Sequence, residues 1–224
     1  MNRRQAALCL VLILPSVCYG QTNTPAVGGG AWGISWTKVP TVVVVSPDDG
    51  AQARLAREAV DFWNRSFAEM GTPFRLGPVT HTVGAISTDA LKALSAKVLS
   101  RTGPAEFPES IRRLPGDLIV ALSDGDFVSF AARWPAEGRA LVGIRSHRLY
   151  PLTLPNVTRN VIAHELGHAI GLGHNDDPAM LMCGRPAPCR PDAFRANAER
   201  FFPLTDAEKA QLLKLYPTHW TSHP

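Results

Sequence analysis

The amino-terminal part of the chain shows first a strand-type and then a helix-type spacing of apolar residues. Residues 41–45 are a β-branched run that ends in a Ser-Pro-Asp-Asp-Gly turn, which predicts a buried strand. Residues 51–70 carry apolar side chains at helical spacing up to Gly71, which predicts a long helix. A second strand is expected over residues 74–79.

The middle of the chain holds three further predicted strands. Residues 117–122 are an apolar run followed by a Ser-Asp-Gly-Asp turn. Residues 127–133 and 139–145 also have strand patterns and are joined through proline and glycine. Between residues 80 and 116 the pattern is weaker, and only residues 89–100 show helical spacing.

A further helix is predicted over residues 158–170, with Asn156 or Thr158 as its capping residue. The proline-rich residues 183–203 that follow are expected to form an irregular loop. The predicted helix carries His164 and His168.

The last predicted helix starts at Thr205 and ends before Pro217. Glu208 stands three positions after Thr205, which is the spacing of a capping box. The complete order is strand, helix, several strands, helix, loop and helix. It predicts a mixed sheet backed by helices, an α/β or α+β fold.

Residues 1–20 have the pattern of a secretory signal peptide, with a basic start, an apolar run and small residues before a predicted cleavage after Gly20. Residues 21–35 are rich in glycine, threonine and proline and predict a flexible lead-in. The mature domain is then expected over residues 36–220. The apolar run is too short for a transmembrane helix. An amino-terminal membrane anchor and a lipid anchor on Cys18 are the alternatives.

Charge and cysteine content change this picture little. The formal net charge is +4, and removing Arg3 and Arg4 with the leader leaves about +2. So small a charge does not indicate a nucleic-acid partner or stable membrane association. Cys183 and Cys189 remain in the mature chain and predict one disulfide in an exported protein. Two free thiols are the alternative.

The candidate chemistry lies in residues 164–174, His-Glu-Leu-Gly-His-Ala-Ile-Gly-Leu-Gly-His. His164 and His168 are four positions apart, so a helix would place both imidazoles on one face. Gly171 permits a sharp turn that brings His174 to the same metal. Three neutral imidazoles with an open fourth position are typical of a catalytic zinc site, and nitrogen ligands disfavour calcium or magnesium.

Glu165 stands beside the first histidine of this set. Zinc lowers the pKa of a bound water and polarises a substrate carbonyl. Glu165 would take the proton from that water as general base and then deliver it to the leaving amine. The sequence therefore predicts hydrolysis of peptide bonds with one catalytic zinc ion.

Residues 164–174 resemble the signature of the metzincin zinc peptidases at every fixed position. Metzincins also have a methionine turn beneath the metal, and Met182, eight residues after the last histidine, is assigned that role. Met180 is the second choice. The order and length of the elements over residues 35–217 are similar to a matrixin catalytic domain, as in the matrix metalloproteinases.

The matrixin resemblance implies a zincin-like fold: a mostly parallel twisted sheet with an antiparallel edge strand, two long helices and a small carboxyl-terminal subdomain. Residues 36–173 would form the upper lobe and residues 174–220 the lower lobe. Residues 127–133 would be the edge strand along which an extended peptide adds. A bridge between Cys183 and Cys189 would stiffen the wall of the substrate pocket.

Some features depart from other metzincin branches. No tyrosine comes directly after Met182, so a fifth tyrosine ligand of the astacin type is not expected, and the cysteine pattern of archaemetzincins is absent. Asn175 stands where other branches often carry Ser, Asp, Glu or Pro. Asp124 and Asp126 could contact calcium, but an ordinary turn is favoured there.

The function predicted from these observations is a secreted or extracytoplasmic zinc endopeptidase that cleaves protein or peptide substrates as a monomer. A binding protein on the same scaffold, with zinc holding the fold and little or no turnover, is the alternative. The presence of Glu165 favours the enzyme, because a binding module needs no base there. An exopeptidase or an amide hydrolase for small substrates is a third reading.

Overall fold

The structure is a computed structural model that describes residues 35–48, 50–101, 106–184, 194–196 and 198–223. Its strands are β1 (Val42–Ser46), β2 (Val79–Val83), β3 (Leu118–Leu122), β4 (Phe130–Trp134) and β5 (Arg139–Ile144). Its helices are α1 (Ala51–Glu69), α2 (Thr88–Ser100), α3 (Glu109–Arg112), α4 (Pro155–Ala169) and α5 (Asp206–Leu215), with a short 3-10 helix at Pro135–Glu137.

The five strands form one mixed sheet in the order β2-β1-β3-β5-β4. β1 pairs in parallel with β2 and β3, and β3 pairs in parallel with β5. β4 closes the sheet by antiparallel pairing with β5. The predicted mixed sheet is therefore confirmed. Every residue of β1 and β3 is buried, because helices cover both faces of these central strands.

Alternate valines of β1 supply two separate apolar layers. Val42 and Val44 belong to the layer that packs against α1 and α4. Val43 and Val45 point to the other face and share a second layer with Leu91 of α2 and with α3. Helices thus lie on both sides of the sheet, and this arrangement of α2 and α3 was not expected from the weak pattern of their sequence.

The prediction of a strand over residues 74–79 is wrong, because β2 begins at Val79. Phe74 and Leu76 are buried in the main apolar layer but precede the sheet. β2 lies at the edge of the sheet and its threonines are exposed, so it lacks the apolar run by which a central strand is recognised. The edge strand β4 likewise begins at Phe130, later than the predicted 127.

The predicted caps of the histidine helix are also wrong. α4 begins at Pro155, whose missing N–H costs nothing in the first turn, and Leu154 precedes it without a side-chain cap. Asn156 lies inside the helix and binds the later loop, donating from Nδ2 to the carbonyl of Phe194. The capping box of α5 at Thr205 and Glu208 is confirmed in both of its hydrogen bonds.

Several predictions concern residues outside the described part of the chain. They are the leader over residues 1–20, almost all of the lead-in, and Cys189 of the proposed bridge. The division into an upper and a lower lobe also stays a prediction. Within the described ranges, no helix has both the length and the apolar character that a membrane crossing requires.

Asp117 fixes the point at which β1 and β3 begin to pair. Its Oδ2 accepts hydrogen bonds from Thr41 N at 2.9 Å and from Thr41 Oγ1 at 2.8 Å, and Lys38 Nζ lies 2.7 Å from Oδ1. Burial alone would raise the pKa of Asp117. The hydrogen bonds from Lys38 and Thr41 together outweigh burial and hold this pKa below its ordinary value of 3.8.

We expect Asp117→Asn to lower the free energy of unfolding by about 1 kcal/mol at about pH 7, because the charged acceptor is lost. A carboxyl group with a lowered pKa stabilises the fold above its unfolded pKa and loses this effect as the pH falls through the folded value. The difference from wild type should therefore shrink below the ordinary pKa of 3.8. Urea unfolding at a series of pH values measures it. A difference that stays constant with pH would contradict the role of the charge.

Candidate metal centre

Three histidine nitrogens meet at the carboxyl end of α4. His164 and His168 lie one turn apart on the helix, and His174 follows after the helix has ended. His174 Nε2 lies 3.2 Å from His164 Nε2 and 2.9 Å from His168 Nε2. Tetrahedral zinc with bonds of about 2.05 Å places its nitrogens about 3.3 Å apart. The spacing of the three rings therefore suits a zinc ion.

Two carbonyl groups fix the orientation of the helical histidines. His164 Nδ1 lies 2.8 Å from the carbonyl oxygen of Leu181, and His168 Nδ1 lies 2.9 Å from that of Leu172. A carbonyl only accepts, so each Nδ1 carries the proton and donates it. Each neutral ring then directs the lone pair of Nε2 toward His174, which is the tautomer that a metal requires.

The arrangement of the three rings suits a cation. Two electron pairs from His164 and His168 face the same His174 nitrogen, and a metal ion at the centre would satisfy all three rings together. The three ligand atoms lie within 4.8 Å of one another. Among the described residues, no other group of three histidine, cysteine or acidic side chains has this arrangement.

The chain reverses direction at Gly171 to bring His174 into the cluster. Gly171 has a φ of +108°, which is a conformation that residues with a side chain rarely adopt. A side chain at this position would also meet Leu215 of α5, with its Cβ 2.6 Å from Cδ1. A helix continued to residue 174 would have carried His174 about 80° around the axis from His164.

The segment after the methionines runs beside the third histidine. Asn175 N donates to the carbonyl of Met182 at 2.9 Å, and Gly184 N donates to the carbonyl of Asn175 at 2.9 Å. The backbone of Gly184 then lies against the imidazole of His174, so that a Cβ at Gly184 would stand 2.7 Å from His174 Nδ1. Gly184 therefore limits the position of the ring.

Gly184 was not among the residues expected at the site. The only signal in the sequence is a glycine placed directly after Met182 and Cys183. Glycine after a short turn has many structural explanations, so this signal alone does not point to a metal ligand. The contact with His174 becomes evident only when the two segments lie side by side.

Met182 lies beneath α4 and is completely buried. A Cβ placed on Gly167 would stand 2.9 Å from Met182 Cε, so the thioether passes directly under the turn between His164 and His168. Met180, the second choice for this role, is only partly buried. The thioether thus supports the helix from the side opposite to solvent.

Glu165 is 6% exposed and lies next to His164 on α4. Helical geometry separates it by about 60° around the axis from His168, so it flanks the ligand face without belonging to it. The cluster itself has a buried and an open side, since His164 is 2% exposed whereas His174 is exposed. Solvent can therefore reach the cluster from the side of His174.

The other predicted sites have different surroundings. Asp126 forms an ion pair with Arg145 at 2.9 Å, and Asp124 lies 3.6 Å from Arg148. Carboxylates engaged by arginine are poorly suited to calcium, which favours the ordinary turn. The pairing of Cys183 stays a prediction, because Cys189 lies outside the described residues.

Comparison with known proteins gives limited similarity. No protein-family model matches the chain, and no curated protein matches it. Among solved structures, the archaemetzincin of Methanopyrus kandleri matches with a TM-score of 0.45 and 20% identity, covering 80% of this chain and 96% of its own. A zinc-dependent peptidase from Methanocorpusculum labreanum matches with a TM-score of 0.42 and 18% identity, covering 77% and 99%.

At these TM-scores the two proteins share only part of their spatial arrangement with this chain. The assignment to the matrixin branch stays a prediction.

We expect Gly184→Ala to weaken zinc binding by about tenfold or more, because the new methyl group displaces the ring of His174. Competition against a chromophoric chelator measures the zinc dissociation constant. Gly84→Ala is the matched control, since a Cβ at Gly84 meets no atom within 4 Å. Equal zinc affinity in the two variants would show that Gly184 does not limit the position of His174.

Proposed function

We propose that this chain is a zinc-dependent endopeptidase, exported from the cell, that cleaves extended protein or peptide substrates. The convergence of three imidazoles, next to a buried glutamate in the sequence, supports this function most directly. A site that only held the fold together would be expected to surround the ion with four protein ligands. Among the described residues the cluster offers three nitrogens, and His174 is exposed.

The residues present suit the hydrolysis of an amide bond. A zinc ion held by the three histidines would supply acidity to a water molecule and polarise the substrate carbonyl. Glu165 would take a proton from that water and later transfer it to the nitrogen of the leaving group. Glu165 is 6% exposed, which limits the number of water molecules that compete for its carboxylate.

The position of β4 supports a peptide as the substrate. β4 ends the sheet, and no strand of the described ranges pairs with its outer edge. It packs against α4, which carries the metal ligands. All five residues of β4 are buried, so an extended peptide would form main-chain hydrogen bonds with this edge only after the segments that cover it are displaced. The proposed binding segment is residues 127–133, of which β4 contains the last four.

The proposed function also includes finer features. They are the matrixin-type branch of the metzincins, Met182 as the methionine turn, a lower lobe over residues 174–220, and a bridge between Cys183 and Cys189. The burial of Met182 under α4 supports the second of these. The burial of Cys183 beside the third ligand supports a structural role for that cysteine.

We expect Glu165→Gln to reduce peptide hydrolysis by roughly 10²–10⁴-fold while zinc affinity stays close to wild type, because a general base is lost and no ligand is changed. The measurement is cleavage of a mixed protein substrate by purified mature enzyme, beside zinc titration. Chelator treatment should abolish wild-type cleavage, and added zinc should restore it. If wild type and variant both bind zinc and neither cleaves protein, the endopeptidase proposal is wrong.

We expect the exported protein to begin at Gln21, because the predicted signal peptide ends at Gly20. Amino-terminal sequencing of protein recovered outside the cytoplasm tests this. Intact mass before and after thiol alkylation tests the Cys183–Cys189 bridge in the same sample. Retention of the leader on a membrane-bound product would favour an amino-terminal anchor instead.

A further inference from the structure

Helix α5 contacts both ends of the short segment that carries the third histidine. At the first end, Gln211 Nε2 donates to the carbonyl of Gly171 at 2.8 Å. At the second end, Asn175 Nδ2 donates to Glu208 Oε1 at 2.6 Å. Between these two contacts lie only three residues, of which His174 is the last. A segment held at both ends has little freedom to move its side chains.

The two α5 side chains are well placed to act together. Glu208 and Gln211 are three positions apart, so they lie on the same face of the helix. Glu208 is 6% exposed, and its second oxygen accepts from Thr205 N at 2.8 Å in the capping box. Tyr216, next after the helix, donates its hydroxyl proton to the carbonyl of Ile170 at 3.0 Å. These contacts fix α5 relative to the end of α4.

Asn175 connects α5 to the neighbouring third histidine, His174. Its Oδ1 accepts from Asp177 N at 2.8 Å, while its backbone N–H and carbonyl bind Met182 and Gly184. All four polar groups of Asn175 are therefore in use. Because Asn175 is joined directly to His174, loss of its side-chain anchor would release the imidazole that is most exposed in the cluster.

We propose that Glu208 and Gln211 are positioning residues for the metal centre, and that they set the affinity for zinc through His174. This inference rests on the zinc site of the proposed function. The other two ligands depend on α5 less directly, because α4 carries both of them and the carbonyl of Leu181 orients His164. The carbonyl of Leu172, which orients His168, lies in the segment that α5 holds. Loosening α5 would therefore affect His174 first, and His168 only through that carbonyl.

An exchange of the two polar groups tests the contact between Asn175 and Glu208. Asn175→Asp alone sets two carboxylates against each other. Glu208→Gln alone leaves one oxygen for two donors, Thr205 N and Asn175 Nδ2. We expect each single change to weaken zinc binding by about 10–100-fold. In the double variant N175D/E208Q the introduced amide donates to the introduced carboxylate, and every donor again has an acceptor.

We expect the double variant to return to within about threefold of the wild-type zinc dissociation constant, since the coupling between the two positions restores the contact. Gln211→Ala removes the hydrogen bond to the carbonyl of Gly171, while alanine itself favours the helix. This change should weaken zinc binding by several fold. Asp206→Asn is the matched control, because it changes an acidic residue of the same helix that is fully exposed. It should leave zinc binding unchanged.

Three measurements on each variant separate the outcomes. They are the zinc dissociation constant by chelator competition, the unfolding of the metal-free protein, and peptide cleavage at saturating zinc. If single variants unfold more easily but bind zinc as wild type does, α5 serves stability alone and the inference is wrong. Failure of N175D/E208Q to restore affinity, although its metal-free stability returns, would overturn it as well.

Failure of the proposed function has a different signature. If wild type binds zinc and the variants follow the expected order of affinity, but no protein cleaves peptide, the positioning by α5 stands and the peptidase activity is refuted. If wild type does not bind zinc, both are refuted. The zinc titration of wild type therefore precedes the comparison of variants.

Discussion

After α4 ends, the chain has only a few residues in which to return an imidazole to the two histidines of the helix. Gly171 makes this return possible because its backbone adopts a positive φ where a side chain would collide with Leu215. The other contacts of the site hold His174 beside the two helical histidines. Gly184 limits the ring of His174 on one side, and hydrogen bonds join Asn175 to its neighbours on the other.

The sheet supplies the rigid support on which this turn is built. Its central strands are buried on both faces, and α1 is tied to α4 by a hydrogen bond from Trp63 Nε1 to the carbonyl of Ala163 at 2.9 Å. Closely packed interiors resist small displacements. The helical ligands therefore occupy a fixed frame, whereas the third ligand lies at the boundary between that frame and the last helix.

How well the sequence predicts a feature depends on how far apart in the chain its residues lie. The capping box of α5, the two helical histidines and the central strands follow from patterns within a few residues, and the sequence predicts them well. The edge strand β2 was misplaced because an edge lacks an apolar run. Contacts between distant positions, such as Asn175 with Glu208 or Gly184 with His174, leave no mark in a single sequence, because each residue is ordinary in its own segment.

The order of the parts along the chain has a consequence for the time at which the site forms. The sheet is complete by Ile144, whereas the ligands, the carbonyl of Leu181 and the contacts from α5 all follow it. During synthesis the amino end emerges first, so the residues of the sheet are available before the three histidines and the contacts from α5. Until the residues of α5 have emerged, the segment of the third imidazole lacks its hydrogen bonds with Gln211 and Glu208, so an unfinished chain holds a less firmly fixed centre. The last helix thus acts as the final closure of the site during synthesis.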